Sequence, residues 1–410
     1  MTGLVDWAAA RARMVLAFIA LSLTIGYFAY EQLPKEGEPD IEIPALFVSV
    51  PFPGISAADS ETLLVKPMET ELSDLDGLKT MSGTAAENYA GVALEFDLGW
   101  DKTKIMADVA EQMGAPKGLI QCLDQVSIEG TAELMRHRRT SVVMATGGPA
   151  MVKAAYSSGK PTLAVGAGNV PCYVHGSMKD EIPEVAEMIV TSKSFDYGTA
   201  CVSEQAVIAD KTIARELRHE MKLKGAYFCT GPESDRLAKA IFRGPQAMDP
   251  NRVGQSPEAL AKAAGFSIPP RTRCLVSEET EIGWQRPLSA EKLNPVLAFY
   301  EARDDDHGIE LSHGIAKFEG WGHSSVVHSN DPDIVARFAT VPTGRVLVNT
   351  PAIMGGMGYS TDLEPSFMLG TGTWSGSITS DNVTALHLIN IKRVAYQNRP
   401  WRDIYEEYGE

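Results

Sequence analysis

The feature that most limits the fold is a change of pattern near residue 113. Up to residue 112 the apolar runs and turn residues spell strand, helix, strand, strand, helix; from Gly114 on, strand-like and helix-like runs alternate. Strict alternation predicts an α/β domain, because each parallel strand needs a crossover before the next one. The earlier order is that of a small split α+β module of ferredoxin-like type. One sheet cannot follow both rules, so two or more units are expected, and 410 residues provide room for two or three.

In the first part, residues 45–50 read as a strand, PFPG as a turn, and 56–74 as a helix with Leu63, Leu64, Met68 and Leu72 on its apolar face. Residues 79–84 and 90–98 read as two strands and 101–112 as a second helix. Ahead of them, residues 14–30 form a charge-free apolar run, at the short end of what spans a bilayer. Arg11 and Arg13 precede it; Glu31, Glu36, Glu38 and Asp40 follow. The positive-inside rule then predicts one membrane helix with a cytoplasmic N-terminus and an inner-membrane location. A cleaved signal peptide and a buried core helix are the alternatives.

The net charge is −16, and it is uneven. Residues 1–112 carry 7 Lys/Arg against 18 Asp/Glu, the remainder 30 against 35. There is no basic run interleaved with aromatics, which argues against a nucleic-acid partner. Five scattered cysteines without a CxxC pair read as reduced thiols. The eight histidines make no HExxH or Cys/His cluster, so no metal is expected.

The run FDYGTACVSEQ places Cys201 in a polar turn between a helix-like and a strand-like run. Such a junction suits a partly exposed, acidified thiol, and the thiolate is the nucleophile. Taken alone, a buried inert cysteine is the commoner outcome. Two glycine-containing turns precede it. SVVMA reads as a buried strand leading into Gly147, Gly148 and Pro149 and then a helix, a turn that leaves free amides for a phosphate. TLAVGAGN is a second strand ending in glycines, where backbone or ligand can approach closely.

Two resemblances follow from these runs. LPKEGEPDIEIPALFVSVPFPGISAADSETLLVKPMETEL resembles the start of a resistance–nodulation–division efflux transporter, over roughly residues 10–112. The proton-relay carboxylates of that family lie on later membrane helices, for which no apolar run remains here, so transport is not implied. The runs ATGGPAMVKAAYSSGKPTLAVGAGNVP, SKSFDYGTACVSEQ, LSAEKLNPVLAFYEA, GWGHSSVVHSND and LGTGTWSGSITSDNV, in that order, resemble the CoA-acylating aldehyde dehydrogenases from about residue 114 to 399.

The second resemblance implies a truncated aldehyde dehydrogenase fold: a partial NAD-binding domain over 113–180, a catalytic domain over 181–380 and a tail over 381–410. Ahead of it would stand the N-terminal segment 1–30 and a porter-like fragment over 31–112. It implies that Cys201 is the nucleophile and that Gly147 and Gly148 turn near the pyrophosphate of NAD. Glu291 would bind the nicotinamide ribose. His323 would act as acid or base or position coenzyme A, and Gly370, Gly372 and Gly376 would form a loop near the pocket. It further implies a small aldehyde substrate, a homo-oligomer and a cytoplasmic dehydrogenase part. Gly166–Asn169 lacks the glutamate with which hydrolytic relatives activate water, which favours a thioester product. The family's first sheet strands and its oxyanion-binding asparagine have no counterpart in residues 1–113. An inactive membrane-anchored chimera, or a fragment of a resistance–nodulation–division transporter, is therefore the alternative.

Overall fold

The computed structural model describes residues 45–52, 54–87, 89–97, 102–121, 123, 125–244 and 247–409. They belong to two compact units, one ending at Asp124 and the other beginning at Gln125. The apolar run 14–30 lies outside the described residues. Among the described residues no helix is long and apolar enough to cross a membrane.

The first unit has the expected strand and helix order. β1 (Ala45–Pro51), β2 (Leu78–Ala86) and β3 (Tyr89–Phe96) form an antiparallel sheet in the order β1-β3-β2. Ser56 starts the helical stretch by accepting the Asp59 amide at 3.1 Å. That stretch runs through Ala57–Ser60, a π-helical turn Glu61–Val65 and Lys66–Leu72. Ala90, Val92, Leu94 and Phe96, two residues apart on the central strand, pack against Val65, Met68 and Leu72. Ile105 and Val109 of the helix Lys102–Gln112 complete this core.

In the second unit, β4 (Val143–Thr146) and β5 (Thr162–Val165) make a two-stranded parallel sheet, with the helix Pro149–Tyr156 as its crossover. Ala155 of that helix meets Val143, Ala145 and Ala164. The run SVVMA is therefore not buried on both sides as its composition predicts. Val142 and Met144 are 37% and 46% exposed. One helix covers one face; on the other, Met368 and Val383 pack on Leu163 and Val165 of β5 and leave Met144 of β4 open.

The main sheet has seven strands. They are β6 (Val170–Val174), β7 (Glu204–Asp210), β8 (Ala226–Phe228), β11 (Cys274–Glu278), β12 (Val296–Ala302), β13 (Gly322–His328) and β14 (Thr343–Val348). A short hairpin, β9 (Phe242–Gly244) with β10 (Ala247–Met248), stands apart. The order is β14-β13-β6-β7-β12-β11-β8, and every pair is parallel. Alternate residues feed two cores. Cys172, Val174, Val207, Ala209, Val276 and Phe299 face the helices Ile182–Ser194 and Ala214–Leu223. Tyr173, Ile208, Ala298, Tyr300 and Val327 face Asp305–Lys317 and Pro332–Phe338. Both faces are covered, which explains why the central strands carry almost no exposed position.

His328 closes β13 fully buried, with neither ring nitrogen hydrogen-bonded, and burial lowers its pKa to about 4. The unfolded chain takes up this proton at about 6.5. The native state is therefore fully favoured above that pH and loses ground as pH falls towards 4. Between pH 7 and pH 5 the wild type should lose on the order of 2 kcal/mol more stability than a His328→Leu variant. Urea titrations at the two pH values read this directly; parallel losses would remove His328 as the cause.

Candidate active site

Four chain segments converge because four strands are neighbours. The loops entering β6, β7 and β12 carry Gly168, Cys201 and Glu291, His323 is the second residue of β13, and the four strands are adjacent in the order β13-β6-β7-β12. Adjacent strands lie about 4.8 Å apart, so residues far apart in sequence share one end of the sheet.

Cys201 is set by the chain that leads into it. The helix Ile182–Ser194 ends in a tight turn, Phe195–Gly198, where Asp196 and Tyr197 take positive φ. Gly198 also has φ +69°, and a Cβ there would lie 2.6 Å from the Asn294 carbonyl oxygen. The turn therefore docks on the loop before β12 and delivers Cys201 half-buried at the mouth of β7. The backbone amides of Cys201 and Val202 favour the ionised form of the sulfur.

His323 Nε2 lies 3.2 Å from Cys201 Sγ, and its Nδ1 lies 3.1 Å from Ser324 Oγ. The imidazole is fully buried and, with the Arg345 cation nearby, is held neutral with a pKa of about 3. Arg345, itself buried, donates to the His323 carbonyl and Ser324 Oγ, both at 3.2 Å, and to the carbonyls of Gly370 at 2.8 Å and Ser380 at 2.9 Å. It ties the glycine loop to the histidine. That loop is also paired by its backbone: the Gly370 and Gly372 amides both donate at 2.8 Å, to Asp381 and Thr379. Gly372 has φ +68° and Gly376 +82°.

Glu291 accepts the Gly168 amide at 2.7 Å. Burial raises its pKa to about 7, opposed by that amide and by Lys193 and Lys292. Both lysines are fully buried. Lys193 Nζ donates to Gln205 Oε1 at 3.2 Å; Lys292 Nζ donates to the Leu288 and Ala290 carbonyls at 2.7 and 2.6 Å. Gly168 is the closest point of the cluster. A Cβ on it would sit 2.2 Å from the Cys201 carbonyl oxygen and 3.1 Å from His323 Cδ2. The next residue, Asn169, reaches the carbonyls of Ser289, Ile315 and Phe318 through its amide nitrogen and pins the loop to the layer beneath.

The structure thus gathers Cys201, His323 and Glu291, with Gly370 joined to His323 through Arg345 and Gly372 two residues further along the same loop. Gly147 and Gly148 stand at the end of β4, where the Gly147 amide bonds the Val165 carbonyl at 3.1 Å, at the start of the Gly166–Asn169 turn. Gly148 caps the helix Pro149–Tyr156 with open space around it. One expectation needs correction. The Cys201 thiol is not acidified: burial, with the Glu291 carboxylate, pushes it up to about 12 and outweighs the two amides and Arg345. Arg345 and Asn169 are the residues to which sequence reasoning gave no individual role, and Gly168 was read only as one of the glycines that permit a close approach. For the first two, the available signal was a polar side chain beside or within an apolar strand run.

The sequence pattern of the aldehyde dehydrogenase family matches residues 102–252, and that of the AcrB/AcrD/AcrF family matches residues 7–127. Among curated proteins, aldehyde-alcohol dehydrogenase 2 of Entamoeba histolytica is 42% identical over 303 residues, 71% of this chain and 34% of that protein. The chain therefore spans about a third of the length of this relative. A probable aldehyde dehydrogenase of Listeria monocytogenes, solved as a crystal structure, superposes with a TM-score of 0.70 at 42% identity, over 74% of this chain and 67% of the other. A Rhodopseudomonas palustris propionaldehyde dehydrogenase, solved with bound CoA and an acylated cysteine, gives a TM-score of 0.58 at 29% identity, over 67% and 61%. With this identity, coverage and fold in common, the chain belongs to the aldehyde dehydrogenase family, in the company of its acylating members.

Proposed function

We propose that this chain carries the acyl-transfer centre of a CoA-acylating aldehyde dehydrogenase, with Cys201 as the nucleophile. The observation that supports it most is the sulfur 3.2 Å from a neutral buried imidazole, at the mouth of four adjacent strands. The Cys201 sulfur adds to the carbonyl carbon of a small aldehyde, the carbonyl π bond breaks, and the thiol proton ends on the oxygen, which becomes the thiohemiacetal hydroxyl. Glu291 and the open helix end at Gly148 are the residues that would hold NAD, and they fit its ribose and pyrophosphate. When bound, NAD supplies the hydride acceptor.

The acyl group left on Cys201 passes to coenzyme A by thiol exchange. The carbon–sulfur bond to CoA forms, that to Cys201 breaks, and the CoA thiol proton ends on the Cys201 sulfur. Water competes poorly, because Gly166–Asn169 carries no carboxylate and the nearest one, Glu291, is engaged by the Gly168 amide. The exchange needs no redox step and can be run backwards. Incubating the protein with acetyl-CoA should place one acetyl group on Cys201 and release an equal amount of free CoA. Intact-mass and peptide analysis read this. No acylation, or acylation that persists in Cys201→Ala, would overturn the proposal.

A further inference from the structure

Arg345 lies on β14, remote in sequence from every residue above, yet it makes four hydrogen bonds at the site's edge and is only 6% exposed. Two of them bear on the imidazole. One holds the His323 carbonyl and the other reaches Ser324 Oγ. Ser324 is 1% exposed, and its hydroxyl also contacts His323 Nδ1. A hydroxyl has one proton to give and two lone pairs to accept with. A guanidinium N–H on one lone pair turns the O–H away from the cation, and here the remaining partner is Nδ1. Nδ1 then accepts, and the ring proton resides on Nε2, the atom facing Cys201 Sγ.

We propose that Arg345 is a positioning residue: through Ser324 it fixes His323 in the Nε2–H tautomer, so that an N–H, not a lone pair, is presented to the Cys201 sulfur. The same fork anchors Gly370 and Ser380, so one cation sets both the histidine and the loop opposite it. An N–H donor stabilises a thiolate far more than a thiol, whose sulfur is only a weak acceptor, which makes the arrangement useful when Cys201 attacks and when it leaves. The groups that act on the sulfur are the Glu291 carboxylate from the loop before β12, His323 from β13, Arg345 from β14 and the local amides; Asp381 in turn faces Arg345. Glu291 opposes ionisation of the thiol, while Arg345 favours it.

The inference deepens the reading of Cys201 as nucleophile and rests on it, but alkylation tests it without aldehyde, NAD or CoA. At mildly alkaline pH, Ser324→Ala should slow iodoacetamide alkylation of Cys201 about tenfold, the effect of roughly one unit in thiol pKa. Ser324→Thr, which restores the hydroxyl, should return the rate to within about twofold. Arg345→Met should match Ser324→Ala, and the double variant should be no slower, because both act through one path. Ring-nitrogen NMR of the labelled protein, with His323→Gln for assignment, should show a protonated Nε2 in the wild type. Wild-type alkylation in Ser324→Ala, or a proton on Nδ1, overturns the proposal even if Arg345→Met does not fold. If Cys201 alkylates as expected but acetyl-CoA never acylates it, the functional reading fails and the tautomer assignment stands.

Discussion

Replacing Cys201 with serine should reduce acyl transfer by at least about 10⁴-fold, a loss in the range seen when a catalytic nucleophile is removed. The reason lies in what surrounds the atom. A serine hydroxyl needs a strong neighbouring base, and this site has none to offer. His323 is held neutral with a pKa of about 3, so it is a poor proton acceptor. Glu291 is more basic, near 7, but its carboxylate is bound by the Gly168 amide. A thiol depends less on such a base, because sulfur ionises more readily and is intrinsically more nucleophilic. The fold should be untouched, since oxygen for sulfur changes little volume at a half-buried position. Free CoA released from acetyl-CoA, compared between wild type and Cys201→Ser at equal folded concentration, reads the effect. Turnover within tenfold of wild type would mean that another residue carries the acyl group.

Adding one methyl group at Gly168 should be the next most damaging change. The new Cβ would fall 2.2 Å from the Cys201 carbonyl oxygen, and that neighbour is backbone, which cannot rotate aside. Either the loop entering β6 or the turn holding Cys201 must move. Movement of the loop also weakens the Gly168 amide contact to Glu291 and the Asn169 anchor beside it. A displacement of about 1 Å at a reacting atom costs about 10²-fold in rate, and the overpacking should cost on the order of 1–3 kcal/mol in stability. Gly231→Ala is the control. Gly231 opens the helix Gly231–Ile241, nothing lies within 4 Å of where its new methyl group would sit, and stability should change by less than about 0.5 kcal/mol. Acyl transfer and urea midpoints, measured on both variants, separate the two cases. Gly168→Ala at wild-type rate would show that the approach of these two loops has no catalytic consequence.

Particular residues show how much was legible before any coordinates. The apolar spacing of Val65, Met68 and Leu72, and the alternation from Ala90 to Phe96, were enough to order the first unit, because period 3.6 and period 2 are local properties. The turn around Cys201 was equally readable: a glycine and small polar residues between two apolar runs have few other uses. The thiol's ionisation was not. Its sequence neighbours suggest a polar turn, while the environment that pushes its pKa up comes from burial and from Glu291, far along the chain. The exposed side of β4 was hidden for the same reason, since composition reports what a strand prefers and not how far distant residues such as Met368 and Val383 reach across it.

The sequence by itself determined the strand and helix order of the first unit, that the later part is a parallel α/β unit, and which cysteine lies in the polar turn before β7. All of these depend on residues close together along the chain. Only the tertiary structure decided that the loops before β13, β6, β7 and β12 share one end of the sheet, and that Arg345 reaches across to His323 and Gly370. Strand order in a parallel sheet is set by crossovers whose destinations are non-local, so the chemistry that it assembles becomes visible only when the strands stand side by side.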